Sequence, residues 1–216
     1  MGLFKFIKEA IQEGVNEAKE EMAAEKRQYQ DIKEAPVSVE KKMVAYACPL
    51  REVLISSSLA GSKPHLYKLG MLDDREKKSV RELLIRDFDI HNAQDVKEKA
   101  IALSFSSLIT QLESAGDEDG SSVKLALTSI QLYIYAAAVD VEYVTFSEIE
   151  SDALKMIDKI ENECGVDSWA AFAEAFTQGE RVLQLNNSLG QRVIQSRIKW
   201  LLEDEESPWS AMTWAA

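Results

Sequence analysis

Carboxylates are the most abundant side chains in this sequence that could perform chemistry. Glu148, Glu150 and Asp152 stand at alternate positions, and an unbroken acidic run extends from Glu203 to Glu206. Paired carboxylates can hold a divalent cation, and they can also work as a general acid and base. On an acidic chain, however, such groups most often form a solvated face. They support one hypothesis, an enzyme with carboxylate-based chemistry assisted by a divalent metal.

Imidazole and thiol groups are scarce. The chain has two histidines, His65 and His91, and two cysteines, Cys48 and Cys164, none at zinc-ligand or disulfide-framework spacing. The sequence also lacks the HExxH, GxSxG, GxGxxG and GxxxxGK patterns that position a metal, a nucleophile or phosphates. We therefore predict no catalytic residue, no cofactor, no cofactor-binding residue and no metal ligand, and two thiols in a reducing compartment.

The N-terminal segment carries the clearest signal of an activity. From Leu3 to about Glu34 its apolar residues recur at steps of three, four and seven, the period of a long amphipathic helix. We predict that one apolar face of this helix binds a partner, and we call it the N-terminal stripe; its partner-binding residues are Phe4, Ile7, Ile11, Val15, Ala18 and Met22, and the same face continues to Tyr29.

Several occupants suit the N-terminal stripe. It can fold back on its own domain, bind another protein or a second copy of the chain, or lie on a membrane surface. A membrane helix favours a basic polar face, whereas this segment is rich in glutamate beyond Lys5 and Lys8. A membrane surface is therefore the least favoured of these alternatives.

Charge and composition limit the partners further. The net charge of -12 and the pI near 4.8 oppose binding to phosphate, so we do not expect a nucleic-acid partner. The N-terminus lacks the apolar centre of a signal peptide, and no uninterrupted apolar run approaches the roughly 18 to 20 residues of a membrane span. These features predict a cytoplasmic protein.

The organisation indicates an all-α protein: a single multi-helix globular domain preceded by the long amphipathic helix. Pro36 separates a helical arm, residues 1–35, from a domain that spans residues 36–216. In that domain we predict a helix that starts near Pro49 and reaches Leu59, and an exposed acidic loop at residues 116–122. The nearly continuous apolar run from Val123 to Val139 predicts the central helix.

Capping residues mark the other helices. We predict Asp73 or Asp74 as the cap of a helix that runs to about Asp87, and Asn92 as the cap of a helix from Ala93 to Glu113. Thr145 with Glu148 predicts a capping box before a helix that runs to about Asn162, and Asp167 or Ser168 is the predicted cap of the Trp169 helix. A break at Asn187–Gly190 precedes the last predicted helix, from Gln191 to Leu202.

Aromatic residues are concentrated near the C-terminus, where all four tryptophans lie. The set Trp169, Phe172, Phe176 and Trp200 has the helical spacing of a buried face and predicts core packing. The remaining tryptophans, Trp209 and Trp214, follow the last predicted helix. We expect this tail to cover the core.

These C-terminal motifs resemble the DUF1266 family, a bacterial group of helical proteins. The similar segments, within about Leu50 to Trp214, are Ser168-Trp169 with Phe172 and Gly179; Leu201-Leu202 with Ser207-Pro208-Trp209 and Trp214; Leu83-Leu84 with Asp89-Ile90 and Asp95; and Phe146-Ser147-Glu148. Two positions depart from the family pattern. Its Trp-Asp-x-x-Arg motif is replaced by Thr128–Leu132, and its Gly-Arg pair by Gly179-Glu180. The resemblance implies a helical fold and no substrate.

The leading functional hypothesis is a non-enzymatic protein-interaction module. It holds another protein through its acidic surface or its N-terminal helix, and its charge and size would suit a protein that neutralises or escorts a toxin, as an immunity protein does. The metal-assisted enzyme described above is the alternative.

Overall fold

The computed structural model describes residues 15, 18–20, 23–24, 26–51, 64–104, 119–184 and 187–214. Its described residues form helices and connecting turns, without a β-strand, which confirms the all-α prediction for this part of the chain. Helix α1 includes residues 26–34, followed by α2 (Val39–Arg51), a 3-10 turn (Pro64–Leu66), α3 (Asp74–Phe88), α4 (Ala93–Ser104), α5 (Asp119–Asp140), α6 (Phe146–Glu163), α7 (Trp169–Leu183) and α8 (Ser188–Glu203).

Helix α5 is the centre of one compact core. It packs against α2, α3, α4, α6 and α7. The stretch Gly120–Asp140, 21 residues, is long and apolar enough to cross a membrane, with an 18-residue window of mean hydropathy 1.3, but 83% of that window is buried inside the protein. A core helix that is covered on most sides has this composition. The prediction of a central helix over Val123–Val139 is confirmed.

Helix α7 approaches α5 closely at Gly179. A Cβ added there would lie 2.1 Å from the backbone oxygen of Ser122, so only glycine fits. Ser122 belongs to the first turn of α5, and Gly120 is buried. The prediction of an exposed acidic loop is therefore wrong for residues 119–122, which form the first turn of helix α5. Residues 116–118 lie outside the described residues.

The predicted caps are largely confirmed. Asp73, Asn92 and Ser168 each start a helix by accepting a backbone N–H that the helix itself cannot pair, whereas in the capping box of α6 the Glu148 carboxylate accepts from the backbone N–H of Thr145. The cap contacts are Glu76 N to Asp73 Oδ1 at 2.7 Å, Gln94 N to Asn92 Oδ1 at 2.8 Å, Ala171 N to Ser168 Oγ at 3.2 Å and, in the capping box of α6, Thr145 N to Glu148 Oε2 at 2.7 Å.

Two predicted helix starts are wrong. Pro49 lies inside α2 near its end, and the predicted continuation to Leu59 falls outside the described residues. Helix α8 begins at Ser188, because Asn187 caps it by accepting from the N–H groups of Leu189 and Gly190 instead of breaking the chain. Asn and Gly close together in sequence predict a loop, whereas here the Asn187 side chain pairs the free N–H groups of the first helical turn.

The C-terminal tail covers the core, as predicted. The rings of Trp169 and Trp209 stack with centroids 5.0 Å apart, and Trp214 meets Trp169 edge-on at 4.8 Å. Phe172 and Phe176 are fully buried beneath them. The aromatic set is therefore part of the core, and Trp200 packs against it while remaining partly exposed.

Candidate interaction site

The described end of α1 is seated on the domain through Tyr29. This residue is 8% exposed, and its ring meets the ring of Tyr67 edge-on with centroids 5.9 Å apart. Its hydroxyl donates to Glu206 Oε2 at 3.1 Å, and Ile32 packs against the core beside it. The helix is thus attached to residues from both the middle and the C-terminal tail of the chain.

Two lysines complete this attachment. Lys33 Nζ lies 2.9 Å from Glu206 Oε2 and donates to the backbone oxygen of Glu205 at 3.3 Å. Lys41 Nζ, on α2, donates to the backbone oxygens of Lys33 and Ala35, each at 2.7 Å. A cation at these carbonyls stabilises a helix C-terminus, where the helix dipole is negative. Tyr29, Lys33, Lys41, Tyr67 and Glu206 are called the clamp below.

Electrostatics within the clamp favour the observed hydrogen bonds. Burial, followed by the contact with Glu206, raises the pKa of Tyr29 to about 12, so its hydroxyl stays a donor at neutral pH. The hydrogen bond from Lys33 is the main reason that the pKa of Glu206 is lowered. Burial lowers the pKa of Lys41. The carboxylate of Glu206 therefore accepts from both Tyr29 and Lys33.

A cleft lies between α1 and α2 next to the clamp. Its volume is about 370 Å³. The lining combines apolar surface with polar and charged side chains, which include Gln28, Asp31, Ser38, Glu40, Lys41 and Lys68. Cations and carboxylates alternate around it, so it offers no field of a single sign to a charged ligand.

The N-terminal stripe is described at only a few positions. Val15 is 43% exposed and Ala18 is exposed, and both are helical. Phe4, Ile7, Ile11 and Met22 lie outside the described residues. The sequence predicts that Tyr29 continues the same face as Val15 and Ala18. In the structure, Tyr29 is buried in the clamp, whereas Val15 and Ala18 are exposed.

A buried ion pair, which the sequence did not indicate, fixes the loop before α3. Arg51 Nη1 donates to Asp140 Oδ2, and each side chain is 1% exposed. Asp140 Oδ1 accepts from Gly70 N at 2.9 Å, and Arg51 Nε donates to the backbone oxygen of His65 at 2.9 Å. These contacts join α2 and α5 to residues 65–70 and pair the two buried charges, although Arg51 Nη2 is buried without a hydrogen-bond partner among the described residues. Their evident role is structural.

The residues that could perform chemistry are dispersed. Glu148 is used as a cap, Asp152 pairs with Lys155 at 3.0 Å, and His91 lies 3.1 Å from Asp89 on the surface. His65 is buried in the 3-10 turn. Among the described residues, no group of three or more His, Cys, Asp or Glu is placed to hold a metal ion.

No family model, curated protein or solved structure matches this chain. The similarity of the C-terminal motifs to the DUF1266 family therefore stays a resemblance.

Proposed function

We propose that this protein is a non-enzymatic protein-interaction module that holds another protein through its N-terminal helix. The observation that carries the proposal is the contrast between Tyr29, which is buried in the clamp, and Val15, which is exposed. A helix attached firmly at one end and apolar beyond that point can present side chains at helical spacing to a groove on a partner.

The rest of the surface suits the same role. The net charge of -12 favours encounter with a basic partner, and a toxin that the protein neutralises or escorts is one such partner. A cytoplasmic location and a fold similar to the DUF1266 family belong to this proposal. The metal-assisted enzyme remains the alternative, and none of the described contacts favours it.

The test uses full-length protein with Ile7→Asp and Ile11→Asp together. Two carboxylates at successive turns of the N-terminal stripe would have to be buried unpaired in any interface, at about 1 to 3 kcal/mol or more for each. Leu154→Asp is the matched control, because Leu154 is another apolar residue that is exposed, at 48%, and it lies on α6. Each protein serves as bait in purifications from the native host.

The expected result is a stoichiometric partner that the wild type and the Leu154 variant retain and the double variant loses, at an unchanged melting temperature. A drop in the melting temperature of the double variant alone would show instead that the stripe packs on its own domain. Identical recovery by all baits would remove the N-terminal helix from the interaction.

A further inference from the structure

Helix α8 carries an exposed apolar row on a side that does not face the core. Leu189 is 69% and Val193 40% exposed, and Trp200 is partly exposed. With about 3.6 residues per turn, these side chains and the small Ser196 lie on one side of the helix. These four residues are called the α8 face. The buried side of the same helix consists of Ile194, Ile198 and Leu201.

Shallow grooves flank Trp200 on the α8 face. One, of about 260 Å³, includes Val193 and Ser196 in its lining. The other, of about 280 Å³, continues from Trp200 to Glu203 and Asp204 at the end of the helix. Ridges of side chains from a second helix pack into such grooves. The α8 face therefore has the shape to receive another helix.

The charges of this part of the chain are nearly balanced in number and separated along the helix. Residues 188–206 contain three basic and four acidic side chains, and the basic ones, Arg192, Arg197 and Lys199, all precede the acidic run that begins at Glu203. The helix dipole has the same direction, positive at the N-terminus and negative at the C-terminus. A second α8 that runs antiparallel therefore brings the acidic end of each copy to the basic half of the other.

Arg192 and Glu203 are the charged residues that this arrangement pairs. Both are exposed, and because they are 11 positions apart, about three helical turns, they lie along the same edge of the α8 face. Within its own helix Glu203 makes a long contact, 3.9 Å from Lys199, in which both side chains are mostly exposed. Such a surface pair contributes little to stability, so the Glu203 carboxylate can bind an arginine from a second copy.

The apolar residues fit the same arrangement. Val193 stands three positions before Ser196, and Trp200 stands four positions after it. When a two-fold axis passes near Ser196, Val193 and Leu189 of one helix therefore lie beside Trp200 of the other. The small serine side chains at the centre allow the two helices to approach closely, so that each apolar row covers the grooves of the other helix.

A second copy is the occupant that these features select. The same helix supplies the apolar row, the grooves and both signs of charge, so it is complementary to itself under two-fold symmetry. We propose that α8 of one copy packs antiparallel on α8 of a second copy, with the two-fold axis near Ser196, and that this contact forms a dimer. Arg192 of each copy then lies about 4.5 Å along the helix axis from Glu203 of the other, within reach of its side chain. The dimer does not use the N-terminal stripe, so it is independent of the proposed function.

The first test reverses these two charges in the full-length protein. Light scattering after size exclusion measures the mass of each protein over a concentration series in low salt, where the wild type should be dimeric. Arg192→Glu and Glu203→Arg each place like charges at both contacts of the symmetric pair, so each should raise the dissociation constant of the dimer at least about tenfold. Lys78→Glu and Glu82→Lys, on the exposed surface of α3, make the same changes in net charge and should stay dimeric.

Mixing the two reversal variants gives the sharper result. Each variant alone repels its own copy. In a dimer of one Arg192→Glu copy and one Glu203→Arg copy, both contacts again join opposite charges, so the mixture should form a 1:1 heterodimer with an affinity close to that of the wild type. A mixture that stays monomeric would overturn the antiparallel pairing.

A disulfide locates the two-fold axis. The chain contains two cysteines, both buried, so Ser196→Cys adds an exposed thiol. Near a two-fold axis this thiol meets the thiol of the second copy, and mild oxidation should link the two chains on a non-reducing gel. Ser151→Cys is the matched control at an exposed position of α6, and it should stay largely unlinked.

Several results would overturn the inference. These are a wild type that is monomeric across the series, reversal variants that stay dimeric, and equal cross-linking of the two cysteine variants. A monomeric wild type that binds a different protein through the α8 face would assign this surface to that protein and would also overturn it.

Discussion

The indole nitrogen of Trp209 donates to the backbone oxygen of Ala45 at 2.9 Å, and Pro49 is the reason that this oxygen is available. A residue other than proline at position 49 would donate its own N–H to Ala45 within the helix. The tail therefore completes α2, in addition to covering the aromatic cluster. Trp209 is both a packing residue and a hydrogen-bond donor to the main chain.

Replacing Trp209 by Phe should lower the free energy of unfolding by about 1 to 3 kcal/mol, because a buried carbonyl loses its donor while an aromatic ring is kept. Pro49→Ala supplies an N–H to the same oxygen, so it should recover more stability in the Trp209→Phe background than in the wild type. Urea unfolding of the four proteins of this cycle measures the coupling. Strict additivity would mean that the Trp209 indole and an N–H at position 49 do not replace each other at the oxygen of Ala45.

Asp140→Asn should be severely destabilising, by about 3 to 5 kcal/mol, because it leaves the buried guanidinium of Arg51 without a counter-charge. Glu82→Gln is the matched control: its carboxylate is 4.0 Å from Lys78, and both side chains are mostly exposed. That change should stay within about 0.5 kcal/mol. Thermal and urea unfolding test both variants, and equal effects would show that the Arg51 pair is no stronger than a surface pair.

Gly179→Ala tests the contact between α7 and α5 by the sign of its effect. At an exposed helix position this change stabilises by roughly 1 kcal/mol. Here the new methyl group would meet the backbone oxygen of Ser122 at 2.1 Å, so the helices must separate. We expect a loss of about 1 to 3 kcal/mol on urea unfolding. A more stable variant would disprove the close approach.

The clamp should weaken at acidic pH. The pKa of Glu206 is lowered in the folded protein, chiefly by its hydrogen bond with Lys33. Its contribution is therefore present above the unfolded pKa of about 4.3 and is lost as the pH falls through the lower folded value. Hydrogen exchange at residues 29–33, corrected for the intrinsic rate, should show protection at pH 7 that declines below about pH 4.

Two variants check the origin of that change. Glu206→Gln should lack the pH-dependent part of the protection, because it has no carboxylate to titrate. Glu205→Gln is the control, since Lys33 contacts only the backbone oxygen of Glu205. Retention of the full pH dependence in Glu206→Gln would assign the titration to another group.

The sequence was informative wherever a structure depends on neighbours along the chain. Ser168 and the box of Thr145 with Glu148 were predicted because a cap is decided within about three residues. The central helix was predicted because burial on all sides leaves an apolar composition that sequence alone displays. These elements need no knowledge of what lies opposite them.

The predictions that were wrong, and the contacts that were not predicted, share a different cause. Pro49 was assigned to a first turn because the donor that makes it tolerable in α2 comes from a residue 164 positions away. Arg51 and Asp140 are 89 positions apart, and neither stands out in a chain with many charged residues. Within the candidate site, the helical period of the apolar residues includes both Tyr29 and Val15, and it does not predict that Tyr29 is buried while Val15 is exposed. Tyr67 and Glu206 bury Tyr29 and leave Val15 exposed, and both are distant from Tyr29 in sequence.

The residues of the clamp are synthesised at different times. Tyr29 precedes Glu206 by 177 positions, so the ribosome, adding about 5 to 20 residues each second, makes the arm roughly 9 to 35 s before the carboxylate that fastens it. During that interval the arm emerges ahead of its own attachment point. On a messenger RNA carrying several ribosomes, it is displayed to neighbouring nascent chains before the base of α1 is fixed.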